Sequence, residues 1–202
     1  YWQKPLLLGA KVVVHSATKF LSGHGDVVAG VAVSKDQQYI NKLRYGFMCE
    51  LGSPLSPFNS WLLLRGMKTL GIRMEKHAEN AMLLANYLQE HDKVEHVCYP
   101  GLSDHEGHEI ANEQMMGYGA IISFTVKGGA EKAKELLTKF KMCKLSVSLG
   151  DAETLVEHPA SMTHRDYDKE SLEEFGLSDD MVRVAVGLED SKDIIIDFYE
   201  AF

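Results

Sequence analysis

The chain has 202 residues, 45% of them hydrophobic, and a formal net charge of -8. This is enough for one large domain or one and a half in an ordinary globular protein. Acids and bases are interspersed, which excludes the dense basic face of a nucleic-acid groove, and no apolar run reaches the roughly 18 residues of a membrane span.

Taken in order, the chain opens at Tyr1 in mid-pattern without a visible signal peptide, so the expectation is that an N-terminal half is absent. Val12–Val14 and Val27–Val33 are β-branched runs that read as buried strands of a parallel or mixed sheet, with Gly23 and Gly25 punctuating the loop between them. Ser34, with Gln37 three residues on, predicts a capping box. Ile40, Leu43 and Phe47 would share one face of the helix that follows. Pro54 and Pro57 break the chain, and a long helical stretch runs from about Asn59 to Glu90. Its apolar stripe is Leu70, Met74, Ala78, Ala81, Met82, Ala85 and Leu88, and Gly66 and Gly71 mark bends or a change of helix. Strands are expected at Val94–Tyr99, Ala120–Val126, Leu145–Leu149 and Val182–Val186, and helices at Ala130–Phe140 and Ser191–Phe202. Short strands alternating with helices define an α/β layer fold. The three cysteines, Cys49, Cys98 and Cys143, form no CxxC pair and read as reduced thiols of a cytoplasmic protein.

The stretch "HSATKFLSGHGD" (His15–Asp26) places Lys19 after an apolar run and beside the hydroxyls of Ser16 and Thr18. A lysine amine becomes a nucleophile toward carbonyls when its proton is easily lost, and hydroxyls suit phosphate oxygens. Together these features fit pyridoxal 5'-phosphate, although a surface lysine after a strand is the plainer alternative.

The segment "HSATKFLSGHGDVVAG" resembles the cofactor-lysine segment of the Cys/Met metabolism family of pyridoxal-phosphate enzymes. That family comprises cystathionine γ-synthases and lyases, homoserine sulfhydrylases and methionine γ-lyases. Three further stretches match in order: "LLLRGMKTLGIRMEKHAENA", "SLGDAETLVEHPASMTH" and "VRVAVGLED". The resemblance implies the C-terminal part of a fold-type I α/β enzyme, with residues 1–70 ending a large, mostly parallel cofactor domain and 71–202 forming a smaller α/β domain. It implies Lys19 as Schiff-base lysine and proton shuttle, Ser16 and Thr18 as phosphate ligands, and Arg183 as the grip on a substrate α-carboxylate. Arginine suits that role through its planar fork. Ser148 and Thr163 would support the same end of the substrate. The resemblance also implies a homo-oligomer, a tetramer built from dimers, with active sites shared between chains.

Val147 precedes Ser148, at a position the resemblance places near the distal end of the substrate. An apolar residue there offers nothing to a distal charge, which favours methionine or homocysteine over cystathionine. The motifs resemble those of the methionine γ-lyases most, implying γ-elimination to 2-oxobutyrate, ammonia and a thiol. One departure is "FMCELGS", where Cys49 and Glu50 stand at the place of a Lys-Asp pair. O-acetylhomoserine sulfhydrylase and cystathionine γ-lyase or γ-synthase are the alternatives, and a binding module without activity is the non-enzyme rival. "DHEGHE" lacks the H-E-x-x-H spacing and reads as a solvated helix start rather than a metal site. His15, His24, His158 and His164 read as packing or loop-bracing residues.

Overall fold

The computed structural model describes residues 1–202, the side chains of Lys169 and Glu173 apart. The first valine run forms β1 (Val12–Ser16), and only the end of the second forms β2 (Gly30–Ser34). The two pair antiparallel as a two-stranded ribbon, Val14 opposite Ala32. Expectation and structure differ here twice: the two strands form a wholly antiparallel ribbon of their own, and of these valines Val27 alone is buried. Val14 is 75% and Val28 83% exposed. Two strands make a ribbon too narrow to bury both of its faces.

Asp36, not Ser34, caps α1 (Gln37–Asn41), its Oδ1 accepting from the backbone N–H of Gln38 and Tyr39. Ser34 instead donates to the Lys11 carbonyl, tying β2 back to β1. A π-helical turn (Lys42–Phe47) leads into α2 (Met48–Leu51). The long helical stretch is two helices, α3 (Pro57–Met67) and α4 (Leu70–Gln89). Ser56 caps α3 and Pro57 opens it, where the missing N–H costs nothing.

The remaining elements are β3 (Val94–Cys98), α5 (His108–Gln114), β4 (Ile121–Val126), α6 (Ala130–Leu137), β5 (Lys144–Leu145), β6 (Leu155–Glu157), α7 (Lys169–Glu174), β7 (Met181–Ala185) and α8 (Ser191–Ala201). The sheet runs β3-β4-β7-β6-β5; only β5 and β6 pair in parallel. The sheet is therefore mixed, antiparallel apart from that pair. The alternation predicted over Leu145–Leu149 ends after Leu145. Beyond it, the Ser146 N–H still bonds the Val156 carbonyl, and the chain then leaves the sheet edge.

One face of this sheet makes the core. Ile122, Phe124, Val126, Val156, Val182 and Val184 pack against α4, α6 and α8 through Leu84, Leu88, Leu136, Ile194 and Phe198. The predicted α4 stripe is buried at Met74, Ala81, Ala85 and Leu88, and Leu84 joins it. Beside it runs a buried polar stripe, Arg73, His77 and Asn80. The Nδ1 of His77 meets the Val186 carbonyl at 2.7 Å, and Asn80 donates to the carbonyls of Gly187 and Glu189. These bonds fasten the exit of β7 to α4.

Asp197 of α8 does similar work for the loop after α6. Its carboxylate accepts from the N–H groups of Lys141, Met142 and Cys143 at 2.8–3.1 Å. Burial pushes its pKa up, but these amides outweigh burial and hold the carboxyl below its usual value. Replacing Asp197→Ala orphans three amides and should cost about 2–3 kcal/mol, measured by denaturant unfolding. A carboxyl whose folded pKa is depressed stabilises fully above its unfolded value of about 4. The difference between parent and variant should therefore hold at neutral pH and shrink as pH falls through the lower folded value; a difference independent of pH would refute this account.

Candidate active site

Lys19 sits in the connection between β1 and β2, which folds back on itself. The Lys19 N–H bonds the Ser16 carbonyl, and the hydroxyl of buried Ser22 donates to the carbonyls of Thr18 and Lys19. Arg73 reaches in from α4 and bonds the Phe20 carbonyl through Nη1, the Gly66 carbonyl through Nη2 and Thr69 through Nε. Two glycines make the fit possible. A Cβ on Gly66 would lie 2.2 Å from the Ser22 carbonyl oxygen, and one on Gly23 would lie 1.8 Å from the Arg73 guanidinium. Gly66 thus serves close approach as well as standing, with Gly71, at the expected change of helix between α3 and α4. The lysine backbone is clamped between a ribbon and a helix, while its side chain projects onward.

That side chain reaches the far end of the sequence. Lys19 Nζ donates to Ser148 Oγ at 3.3 Å. Gly150, at φ +76°, lets the Ser148 segment press on the lysine loop, since a Cβ there would stand 2.6 Å from the Phe20 nitrogen. Lys19 and Ser16 also line an open cavity of about 330 Å³ with Tyr1, His15, Leu70 and Met74, a volume within the ~300–1,000 Å³ of small-molecule sites.

Arg183 completes the cluster from β7. Its register neighbours on the sheet are Ser123 on one side and Glu157 on the other, on the face opposite the core. Arg183 Nη1 pairs with Glu157 Oε1 at 2.8 Å. Nη2 donates to the carbonyls of Val147 and Ser148 at 3.2 and 3.0 Å. Thr163 also donates to Glu157 Oε1, at 3.3 Å. Burial pushes the Glu157 carboxyl up; Arg183, Thr163, His164 and Lys19 oppose it. Burial likewise lowers Arg183, and Glu157 opposes that. A guanidinium holds its proton far above neutral pH, and each partner offsets part of the other's desolvation.

Lys19, Ser148, Arg183 and Thr163 thus form one connected set. Val147 lies at its edge with its side chain half-exposed and its carbonyl turned to Arg183. Ser16 is exposed at the cavity rim. The Thr18 hydroxyl accepts from the Ala29 N–H at 2.9 Å and faces its carbonyl at 3.3 Å. Buried His158 bonds Ser161 and the Asp179 carbonyl, and His24 the Ser22 carbonyl, both bracing roles. In "DHEGHE", His105 accepts from the Gly107 N–H and His108 meets the Pro100 carbonyl. Trp2 is partly buried, its ring close to Gly117.

Two residues of the site escaped the sequence reading. Arg73 was readable in principle, since Arg73, His77 and Asn80 recur at helical spacing beside the apolar stripe. Glu157 was not, because the three-residue strand that carries it is too short to show alternation.

The residues suit pyridoxal phosphate where they can be tested. A lysine amine without a carboxylate partner among the described residues faces an open cavity, and an arginine stands behind it. The class is that of an α/β chain built like part of a fold-type I pyridoxal-phosphate enzyme. The solved cystathionine gamma synthase from Xanthomonas oryzae pv. oryzae, in complex with cystathionine, overlays with a TM-score of 0.95 at 40% identity, over 99% of this chain and 51% of that one. The family model for the Cys/Met metabolism PLP-dependent enzyme matches residues 1–202, and the chain belongs to that family. It is 52% identical to the L-methionine gamma-lyase of Fusobacterium nucleatum subsp. nucleatum over 198 residues, 98% of this chain and 50% of that protein. It is 43% identical to the cystathionine gamma-lyase of Dictyostelium discoideum over 201 residues, 100% of this chain and 52% of the other. The chain thus spans about half the length of the curated relatives it matches.

Proposed function

We propose that this chain carries the lysine-bearing part of a pyridoxal-phosphate-dependent carbon–sulfur lyase that performs γ-elimination on methionine or homocysteine. The observation that carries the reading is the contact of Lys19 Nζ with Ser148 Oγ, with Arg183 holding the Ser148 carbonyl from behind. The similarity to enzymes named methionine gamma-lyase supports the reaction type.

When bound, pyridoxal phosphate supplies the electron sink that allows a proton to leave the substrate's α-carbon. Lys19 would be the amine that holds the cofactor, and its free Nζ would accept the α-proton. Ser148 Oγ, 3.3 Å away, steadies that nitrogen between transfers. The remaining N–H capacity of Arg183 binds the α-carboxylate, and Ser16 stands at the rim where the cofactor phosphate would lie. Thr18 holds the turn that aims Lys19. Loss of a second proton, from the β-carbon, would let the γ-sulfur leave as a thiolate that takes up a proton; protonation of the γ-carbon and hydrolysis of the resulting imine would then give 2-oxobutyrate and ammonia. Residues 1–70 and 71–202 serve in this reading as parts of two domains.

Borohydride reduction of the intact enzyme followed by peptide mapping should put the pyridoxyl label on Lys19; a label on another lysine ends the proposal. Shared active sites in a homo-oligomer are the further part of it, supported by the exposed apolar side chains of Val14, Val28, Leu51 and Trp61. Sedimentation of the intact protein as an active monomer would remove that part.

A γ-replacement or cystathionine reaction is the second reading, favoured by the cystathionine gamma-lyase relative and the cystathionine gamma synthase fold match. Val147 discriminates. Its apolar side chain leaves the distal ammonium of cystathionine unpaired, so kcat/KM should favour methionine. Val147→Glu should move the ratio toward cystathionine by roughly tenfold, the worth of about one charge-assisted hydrogen bond. A parent that already prefers cystathionine, or a ratio that stays fixed, would favour the second reading.

A further inference from the structure

Arg183 is gripped before any substrate arrives, and the grip comes from one side. Glu157 is fully buried and its Oε1 receives both Arg183 Nη1 and the Thr163 hydroxyl. Its other oxygen, Oε2, is buried without a partner among the described residues, and so is Arg183 Nε. A fold seeking stability alone gains little from this. A buried ion pair often does no better than an apolar pair of similar volume, and an unpaired buried oxygen adds cost. What the pair does supply is geometry. Glu157 lies directly across the strand from Arg183, in register on the polar face of the sheet. It fixes one nitrogen of a planar group, and the carbonyls of Val147 and Ser148 fix another. A planar fork held at two of its nitrogens has no remaining freedom to turn.

We propose that Glu157 is the positioning residue of the carboxylate site: it holds the Arg183 guanidinium by Nη1, in the plane that receives a substrate carboxylate. Thr163 acts through Glu157, not on the substrate. The inference rests on Arg183 being the carboxylate ligand, and the experiment separates the two.

The readout is the selectivity of the intact holoenzyme for methionine over its carboxamide, as a ratio of kcat/KM values. Glu157→Met keeps the length and removes both charge and acceptor. It should lower the ratio by about tenfold or more, as the loss of one hydrogen bond to a charged group implies, mainly through KM for methionine. Glu157→Gln keeps a neutral acceptor and should fall between parent and Met variant; it decides the matter if the Met variant does not fold. The same order is expected in the dissociation constant of γ-(methylthio)butyrate, a carboxylate without the amine, measured by calorimetry. In an Arg183→Lys background, Glu157→Gln should change the ratio no further. Selectivity within about twofold of the parent in Glu157→Gln, or losses that add in the double variant, would overturn the positioning role. If Arg183→Lys alone leaves the ratio unchanged, Arg183 is not the carboxylate ligand, and the functional reading fails there first.

Discussion

A guanidinium carried on a β-strand presents five N–H groups that are costly to bury unmet, and much of this molecule is arranged around meeting those of its two terminal nitrogens. Arg183 stands in a strand whose other face is Val182 and Val184, locked into the core. It cannot turn inward. Its charge is met across the sheet by Glu157, and its Nη2 donors pull the Val147–Ser148 backbone toward the strand after β5 has already left the sheet. The irregular path of that segment is therefore set by a side chain two strands away rather than by ladder bonds of its own. Ser148 comes to face Lys19 as a result.

The opposite wall obeys the same rule with a different cation. Arg73 has no carboxylate partner among the described residues; it is satisfied by two carbonyls and a hydroxyl, and those carbonyls belong to the lysine loop and to α3. A buried arginine neutralised by backbone dipoles is a costly way to join two segments. It is also a directional one, because a planar group bonded at three nitrogens admits one arrangement of its partners. Glycines at 23, 66 and 150 remove the side chains that would otherwise hold these surfaces apart. The site is made by two arginines and by absent methyl groups as much as by the lysine.

What could be read in the sequence divides along physical lines. The α4 stripe, the β4 and β7 alternation and α8 were legible because repeated burial writes a period into the chain, and the lysine segment was legible as a motif. The β1–β2 valines misled because β-branched residues report strand geometry, which they adopt, and not burial, which depends on what covers them. Leu145–Leu149 misled for a related reason: alternation was present, but Arg183 competed for the carbonyls of Val147 and Ser148. Ser34 had the chemistry of a cap and lost the position to Asp36, two residues nearer the helix. Lys19, Ser148, Thr163 and Arg183 do meet, Thr163 through Glu157. No local pattern could have foretold Glu157, whose partner is 26 residues away and adjacent only through the sheet.

The bond between Lys19 and Ser148 joins residues separated by 129 positions in the chain. Between them lie the ribbon's second strand, both long helices and most of the sheet. Neither partner can be presented to the other by a locally structured piece; the ribbon alone would leave the amine in water, and the sheet alone would leave the serine facing nothing. The reactive centre is accordingly a property of the whole cooperative unit. Any sub-global opening that frees α4 from the exit of β7 dissolves it at once, and a chain caught half-folded exposes an ordinary lysine with ordinary reactivity.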